Sequence, residues 1–266
     1  MLTLFLIGAA AVVLVMLLLW LLGLQQHNFS YVDLGWSANF VLLAVTNGVL
    51  GEGDGLRRAL ICGMYALWGA RLALHLATRI IGEPEEGRYV QLRADWGAKG
   101  NVNLKFLGFF QFQALLNIVL GLPMLLAVSN SAPTLHWLEM LGLLVWVIGL
   151  IGESIADAQL KTFKRNAANK GRVCNVGLWG WSRHPNYFFE WTIWIGYALF
   201  ALASPYGWLC LALPVLMLHF LLNVTGVKAT EEQAVRSKGE AYLEYQRTVS
   251  AFVPLPPKQP HKKERV

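Results

Sequence analysis

Charged residues are scarce in this sequence. Of its 266 residues only 14% are charged, whereas 56% are hydrophobic and the mean hydropathy is +0.46. A soluble domain usually carries about 25% charged residues, so the chain has too few of them to cover a surface that faces water. The shortage excludes a soluble globular enzyme and a disordered regulator. It predicts an all-α, polytopic integral membrane protein.

Cysteine is also rare. The three cysteines, Cys62, Cys174 and Cys210, are scattered and form no CxxC pair, which argues against a disulfide scaffold and a zinc site. The six histidines lie far apart, without the HxxH or HxxxH spacing of a histidine-box di-iron site. We therefore expect no metal.

Seven apolar runs approach the length of ~20 residues that a membrane-spanning helix needs. We expect one seven-helix domain over residues 1–253 and a basic, flexible tail over 254–266. The predicted spans are Leu2–Leu24, Leu34–Leu50, Ala59–Ile81, Leu104–Val128, Leu135–Ile155, Tyr187–Ala203 and Tyr206–Val227.

The positive charges fall almost entirely on one side of these spans. Of the 22 Lys and Arg residues, all but Arg57, Arg58 and Arg71 lie in the loops after the third and fifth spans or after the seventh. The positive-inside rule then puts the N-terminus outside and the C-terminus in the cytoplasm. The pattern indicates a membrane, not nucleic acid, as the partner. We expect a bacterial inner membrane and an active site open to the cytoplasm.

Several polar residues lie near the ends of the spans on that side. Glu153 and Asp157 are four residues apart, as are Asn186 and Glu190, so each pair shares one face of a helix. Asp33 opens the second span, beside Tyr31. Such residues also hold helix bundles together through hydrogen bonds. As a set they predict a polar cavity that apolar helices surround.

A basic loop precedes the sixth span. It contains Lys161, Lys164, Arg172 and Arg183, and Pro185 suits the first turn of the following helix. Arg and Lys bind phosphate, and the N-terminus of a helix favours an anion. The clustering of such residues at a helix start predicts a site for a phosphate-bearing cofactor.

Residues 177–190, GLWGWSRHPNYFFE, resemble the membrane steroid 5α-reductase family, and most closely its bacterial branch described as a domain of unknown function. The resemblance extends over most of the chain and includes residues 31–36, 88–93 and 242–254. Relatives in that family are seven-helix reductases that use NADPH to reduce an enone C=C bond in a steroid-like lipid, and the lipid substrate comes from the bilayer.

The resemblance implies roles for individual residues. Asn186 and Glu190 would hold the nicotinamide end of NADPH, and Asp33 would bind the substrate carbonyl as a protonated acid. We take Asp33, Glu190 and Tyr31 as catalytic candidates. The candidates for binding the cofactor are Asp157, Lys161, Lys164, Arg172, Arg183, His184, Asn186, Tyr187 and Tyr245.

One position departs from the family pattern. The steroid reductases place a tyrosine beside the acid, on the third span, where this sequence has Leu76. Either Asp33 works alone, or Tyr31 or Tyr89 replaces that tyrosine, or the protein does not reduce steroid enones.

Another resemblance supports a different chemistry. The RHPxY segment followed by Lys228, Glu231, Glu232, Gly239, Tyr242 and Tyr245 is similar to membrane methyltransferases of the isoprenylcysteine carboxyl methyltransferase type. In those enzymes the second Glu helps bind S-adenosylmethionine. That cofactor has no phosphate, so the basic loop favours NADPH. A third alternative is a non-catalytic lipid-binding membrane protein.

Overall fold

The computed structural model describes residues 1–97, 100–224 and 226–258. Within these ranges the chain is helical, and its β content is one isolated parallel bridge between Ser182 and Ser250. The helices are α1 (Leu2–Gln26), α2 (Tyr31–Leu50), α3 (Gly55–Ile80), α4 (Gly87–Gly97), α5 (Val102–Leu120), α6 (Leu122–Val128), α7 (Trp137–Arg165), α8 (Pro185–Ala201), α9 (Ala212–His219), α10 (Val227–Lys238) and α11 (Glu240–Thr248). The all-α prediction is confirmed for this part of the chain.

Five of the described helical segments are long and apolar enough to cross a membrane: α1, α3, α5, α7 and the continuous segment Gly207–Val224 that contains α9. They identify the chain as an integral membrane protein. Two predicted spans correspond to the 20-residue α2, which carries Asp33, and to α8, which has only 17 residues. The number of seven spans and the orientation of the termini remain predictions.

The chain divides into two compact units. The first comprises Met1–Trp137 and Phe200–Trp208, and the second Leu138–Leu199 and Leu209–Val266. In the first unit α1 packs against α2 and α5, and α2 packs against α3. The aromatic rings of Phe40 and Trp68 are fully buried there, with their centroids 5.3 Å apart.

In the second unit α7 and α8 approach each other closely through glycines. A Cβ atom at Gly196 would lie only 2.7 Å from the backbone nitrogen of Trp146. Side chains larger than hydrogen are therefore excluded at this crossing. The close contact fixes α8 against α7 and so determines where the residues that precede α8 lie.

The segment after α11 returns along the loop before α8. The Arg183 amide donates to the Ser250 carbonyl at 2.8 Å, and the Leu255 amide donates to the Trp181 carbonyl at 3.0 Å. The Ser182 hydroxyl donates to the Phe252 carbonyl at 2.7 Å. The first residues of the predicted tail thus make backbone hydrogen bonds to the second unit. Lys99 and residues 259–266, on which the charge pattern and the tail partly depend, lie outside the described residues.

Candidate functional site

The loop before α8 is fastened to α7 and α11. The Trp179 indole donates to the Ala156 carbonyl at 2.9 Å, and the Leu178 amide donates to Gln159 Oε1 at 2.9 Å. The Tyr245 hydroxyl donates to the Trp179 carbonyl. As predicted, α8 begins at Pro185. These contacts hold the loop so that residues 183–187 lie at the start of α8.

Arg183 is the centre of a buried polar network. Its Nε donates to Glu231 Oε1 at 2.6 Å, and its Nη1 donates to the carbonyls of Gln246 and Val249 at 3.0 and 2.6 Å. The Gln246 amide donates to Glu231 Oε2 at 2.9 Å, and His184 Nε2 lies 3.3 Å from Glu231 Oε1. The network joins the start of α8 to α10 and α11.

Glu231 is held as a carboxylate in this network. Burial opposes its ionisation, but hydrogen bonds from His184, Arg183 and Gln246 and the charge of Arg183 lower its pKa to about 2. The anion beside Arg183 is therefore supplied by the chain itself. Arg183 was predicted to bind a cofactor phosphate, but in the structure its guanidinium is bound to Glu231 and two carbonyls.

A cavity of about 280 Å³ lies next to this network, wholly within the second unit. Three cationic side chains line it, and among the described residues that line it there is no carboxylate. Its lining comprises Leu160, Lys164, Val173, Cys174, Trp179, Arg183, His184, Asn186, Tyr187, Thr230, Ala234, Lys238, Tyr242 and Tyr245.

Most of the predicted cofactor-binding residues line this cavity. Lys164, Arg183, His184, Asn186, Tyr187 and Tyr245 do so. Lys161 and Arg172 are exposed, and neither they nor Asp157 and Glu190 are part of the lining. Asp157 Oδ1 nevertheless accepts a long hydrogen bond of 3.4 Å from Nδ2 of Asn186, which does line the cavity.

Five residues of the network and the cavity wall were not among the predicted site residues: Glu231, Gln246, Lys238, Thr230 and Tyr242. Glu231 and Tyr242 belong to the methyltransferase-like pattern, which indicated the segment but not these contacts. Lys238 ends α10 and lies over the ring of Tyr242, with its Nζ 5.8 Å from the centroid. Gly239 separates the two helices that carry Lys238 and Tyr242, so no helical spacing rule indicated this contact.

A second polar cluster surrounds Asp33 in the first unit. The Tyr89 hydroxyl donates to Asp33 Oδ1 at 2.8 Å, and the Arg88 guanidinium donates to Asp33 Oδ2. Arg88 also lies over the Tyr89 ring, 4.7 Å from its centroid. Of the two tyrosines considered as replacements for the residue at Leu76, Tyr89 is the one that contacts Asp33; Tyr31 is half-buried at the first position of α2.

Asp33 is an acceptor in this arrangement, because two donors point at its carboxyl group. The loop before α2 and the loop before α4 are joined by two hydrogen bonds. The Phe29 amide donates to Glu85 Oε1 at 2.7 Å, and the Glu86 amide donates to the Ser30 hydroxyl at 2.9 Å. These contacts keep Tyr89 beside Asp33.

The described residues contain no group of three or more His, Cys, Asp or Glu side chains that could hold a metal ion. What they contain is a set of apolar helices of membrane-spanning length and a cationic, partly aromatic cavity. The described residues thus form an all-helical integral membrane protein with a cationic cavity in its second unit.

The chain belongs to the DUF1295 family, whose model, described as "Protein of unknown function", matches residues 19–249. The match confirms the predicted membership of a family described as a domain of unknown function. The chain is also similar to a fungal protein of Ustilaginoidea virens named "Probable O-methyltransferase ustE", with 39% identity over 67 residues. That similarity covers 25% of this chain and 23% of the relative, so the chain spans about a quarter of the curated relative's length. No solved structure matches.

Proposed function

We propose that this chain is an NADPH-dependent reductase that acts on an activated, enone-type C=C bond in a membrane-soluble lipid such as a steroid or an isoprenoid. The observation that carries the proposal is the charge of the cavity in the second unit. Its described lining has the cations Lys164, Arg183 and Lys238 and no carboxylate. We propose NADPH as the cofactor because a polyanionic ligand offsets this charge.

Charge also separates the candidate cofactors. NADPH carries a pyrophosphate and a 2′-phosphate, whereas S-adenosylmethionine carries a sulfonium cation and no phosphate. Glu231 is the carboxylate nearest to the start of α8 in this network, and it is neutralised by Arg183. The sulfonium cation of S-adenosylmethionine therefore gains little from Glu231. The positive charge of the cavity favours NADPH, which carries phosphates.

The residues of the cavity fit parts of NADPH. Asn186 Oδ1 is buried and has no hydrogen-bond donor among the described residues, so it suits the amide group of a nicotinamide. Tyr187 and Tyr245 offer aromatic surface to a planar base. When bound, NADPH would supply the hydride. Glu190, one turn further along α8 than Asn186, remains a proposed contributor to the nicotinamide end.

We keep Asp33, with its hydrogen-bond partners, as the proposed group at the substrate carbonyl. Reduction of an enone needs a hydrogen-bond donor at the carbonyl oxygen. The guanidinium of Arg88 has N–H groups beyond the one that contacts Asp33, so it can donate to that oxygen. The hydroxyl of Tyr89 donates its single hydrogen to Asp33 and so positions the carboxyl group. Tyr31 is not needed for this arrangement.

The proposal also includes the number of membrane spans, their orientation and the membrane in which they lie. We propose seven spans, with α2 and α8 as the two that are not among the five candidates. The basic loops then face the cytoplasm of a bacterial inner membrane, and the cavity is open to that side.

Methyl transfer is the second candidate, and the similarity to the Ustilaginoidea virens protein favours it. In the related methyltransferase pattern, the second Glu binds S-adenosylmethionine. Here the side chain of Glu232 is 55% exposed, and its Oε2 lies 3.8 Å from Nη2 of Arg236 on the same helix. Glu232 does not line the cavity. This placement gives Glu232 no role in the cavity, and so favours the reductase.

Binding of the two cofactors to the detergent-purified full chain tests the proposal. We expect calorimetric titration to show binding of NADPH and none of S-adenosylmethionine. The variant Glu232→Ala should bind NADPH as the wild type does. Binding of S-adenosylmethionine alone, weakened by Glu232→Ala, would establish the methyltransferase in place of the reductase.

A further inference from the structure

Two adjoining cavities lie in the first unit, at the end where α1 begins and α2 ends. The larger has a volume of about 720 Å³, within the range of ligand-binding pockets. Its wall includes the apolar side chains of Leu4, Leu50 and Leu126 and the polar side chains of Glu52 and others. The smaller, of about 20 Å³, lies further along α1 and α2, and Leu4 lines both. All the residues that line the two cavities belong to the first unit.

The smaller cavity contains a hydrogen-bond acceptor that lacks a donor. Asn47 is only 4% exposed and is the one polar side chain of the described lining. Its Nδ2 donates to the Leu43 carbonyl on the same helix at 2.8 Å, whereas its Oδ1 is buried and has no donor among the described residues. Burying an acceptor without a donor costs free energy. The cavity therefore favours a ligand that donates one hydrogen bond.

The size and the walls of the smaller cavity restrict what this donor can be. Its volume of about 20 Å³ holds roughly one water-sized group. A buried water usually makes about three hydrogen bonds, whereas the described side chains of this lining offer only Asn47. A cation would be buried here without a carboxylate, which costs far more than burying a neutral group. An uncharged hydroxyl on a hydrocarbon chain fits both limits, because it needs only this one acceptor.

We infer that the two cavities form a binding site for an uncharged lipid alcohol. Its hydroxyl donates to Asn47 Oδ1, and its hydrocarbon part packs against the leucines of the larger cavity. Asn47 follows Asp33 by 14 residues on α2, which is about 21 Å along the helix. The site is therefore distinct from the Asp33 cluster, and the inference does not rest on the proposed reduction.

Photolabelling of the full chain in phosphatidylcholine liposomes tests the site. Two probes are compared, a hexadecanol that carries a diazirine in its chain and the methyl ether of the same molecule. The ether can accept a hydrogen bond but cannot donate one. We expect the alcohol to label peptides of α1 and α6, and the ether to label them about tenfold less, because it leaves Asn47 Oδ1 unsatisfied.

Two variants remove the site in different ways, and each has a matched control. Asn47→Leu removes the acceptor, and Ala9→Leu fills the smaller cavity but keeps Asn47. Each should lower labelling by the alcohol about tenfold. Thr46→Val removes a neighbouring hydroxyl that donates to the Leu42 carbonyl and lies outside both cavities, and Ala10→Leu enlarges an exposed position next to Ala9. Both controls should be labelled as the wild type is.

Three results would overturn the site. Equal labelling by the alcohol and the ether would show that the probes report only contact with the bilayer. Unchanged labelling of Asn47→Leu, in a variant whose thermal melt shows that it folds, would exclude Asn47 as the acceptor. Absence of labelling on α1 and α6 by either probe would show that no lipid alcohol enters the cavities. None of these results bears on the proposed reduction, which is measured with NADPH.

Discussion

Glu231 accepts a hydrogen bond of 2.6 Å from Nε of Arg183, across 48 residues of sequence. The side chain of Arg183 is only 9% exposed and that of Glu231 16%, so the pair is largely withdrawn from water. The contact fastens α10, which carries Thr230 and Lys238 of the cavity wall, to the residue two before α8. The geometry of the cavity therefore depends on this pair.

Removing the carboxylate of Glu231 should destabilise the protein. In Glu231→Gln the guanidinium of Arg183 loses its counter-ion while it remains buried. Breaking one side of such a pair costs about 3 kcal/mol, and we expect a lower melting temperature in detergent. Glu232→Gln is the matched control, because its side chain is 55% exposed. Similar melting temperatures for Glu231→Gln and the wild type would contradict this role for the pair.

The same carboxylate predicts how stability depends on pH. The pKa of Glu231 is lowered from 4.5 to about 2 in the folded chain. Because its pKa is lowered, Glu231 contributes its full stabilisation of the folded chain above pH 4.5, and this stabilisation is lost as the pH falls through about 2. Melting curves over this range should show a loss of stability in the wild type that exceeds the loss in Glu231→Gln. Parallel curves for the two proteins would show that Glu231 is not the group responsible.

The close crossing of α7 and α8 predicts a size limit at Gly196. In Gly196→Ala the new Cβ would lie 2.7 Å from the backbone nitrogen of Trp146. Overpacking of this kind costs about 1 to 3 kcal/mol, which a thermal melt detects. Gly63→Ala in α3 is the control. A Cβ there meets no atom within 4 Å, and alanine is the better helix former, so stability should be retained or rise.

The Asp33 cluster makes a prediction that concerns turnover. Tyr89→Phe removes the hydroxyl that donates to Asp33, and Asp33→Asn replaces the carboxylate that orients it. If the cluster polarises the substrate carbonyl, both changes should lower turnover about a hundredfold. The affinity for NADPH should stay within about twofold, because neither residue lines the cavity of the second unit.

Tyr31→Phe is the control for these variants, because Tyr31 does not form the hydrogen bond to Asp33. It should retain nearly full turnover. A loss in Tyr31→Phe with full activity in Tyr89→Phe would reverse the assignment of the tyrosine.

The sequence alone predicted the features that depend on local signals. Continuous apolar runs predicted the long helices, and Pro185 marked the start of α8. The cluster at residues 183–187 supplied most of the cavity lining that was predicted. These signals are local because helix length, capping and hydropathy are properties of one segment.

The missed contacts depend on how distant segments meet. Lys238 and Glu231 lie on α10, a polar helix that reads as a solvated surface in the sequence. Tyr89 was one of two tyrosines predicted as possible partners of Asp33, 56 residues away, but the sequence could not choose between it and Tyr31. No spacing rule connects such pairs, so only the fold reveals that Arg183 meets a carboxylate of its own chain.

Transfer of deuterium from NADPH to an enone is the direct test of the proposed reduction. The full chain in detergent would be incubated with NADPH deuterated at the reactive C4 position and with a panel of steroid and isoprenoid enones, and the products analysed by mass spectrometry. We predict a saturated product that carries deuterium, formed about a hundredfold more slowly by Asp33→Asn and not formed when NADPH is omitted. Consumption of no NADPH, together with methyl transfer from labelled S-adenosylmethionine to a lipid, would contradict it.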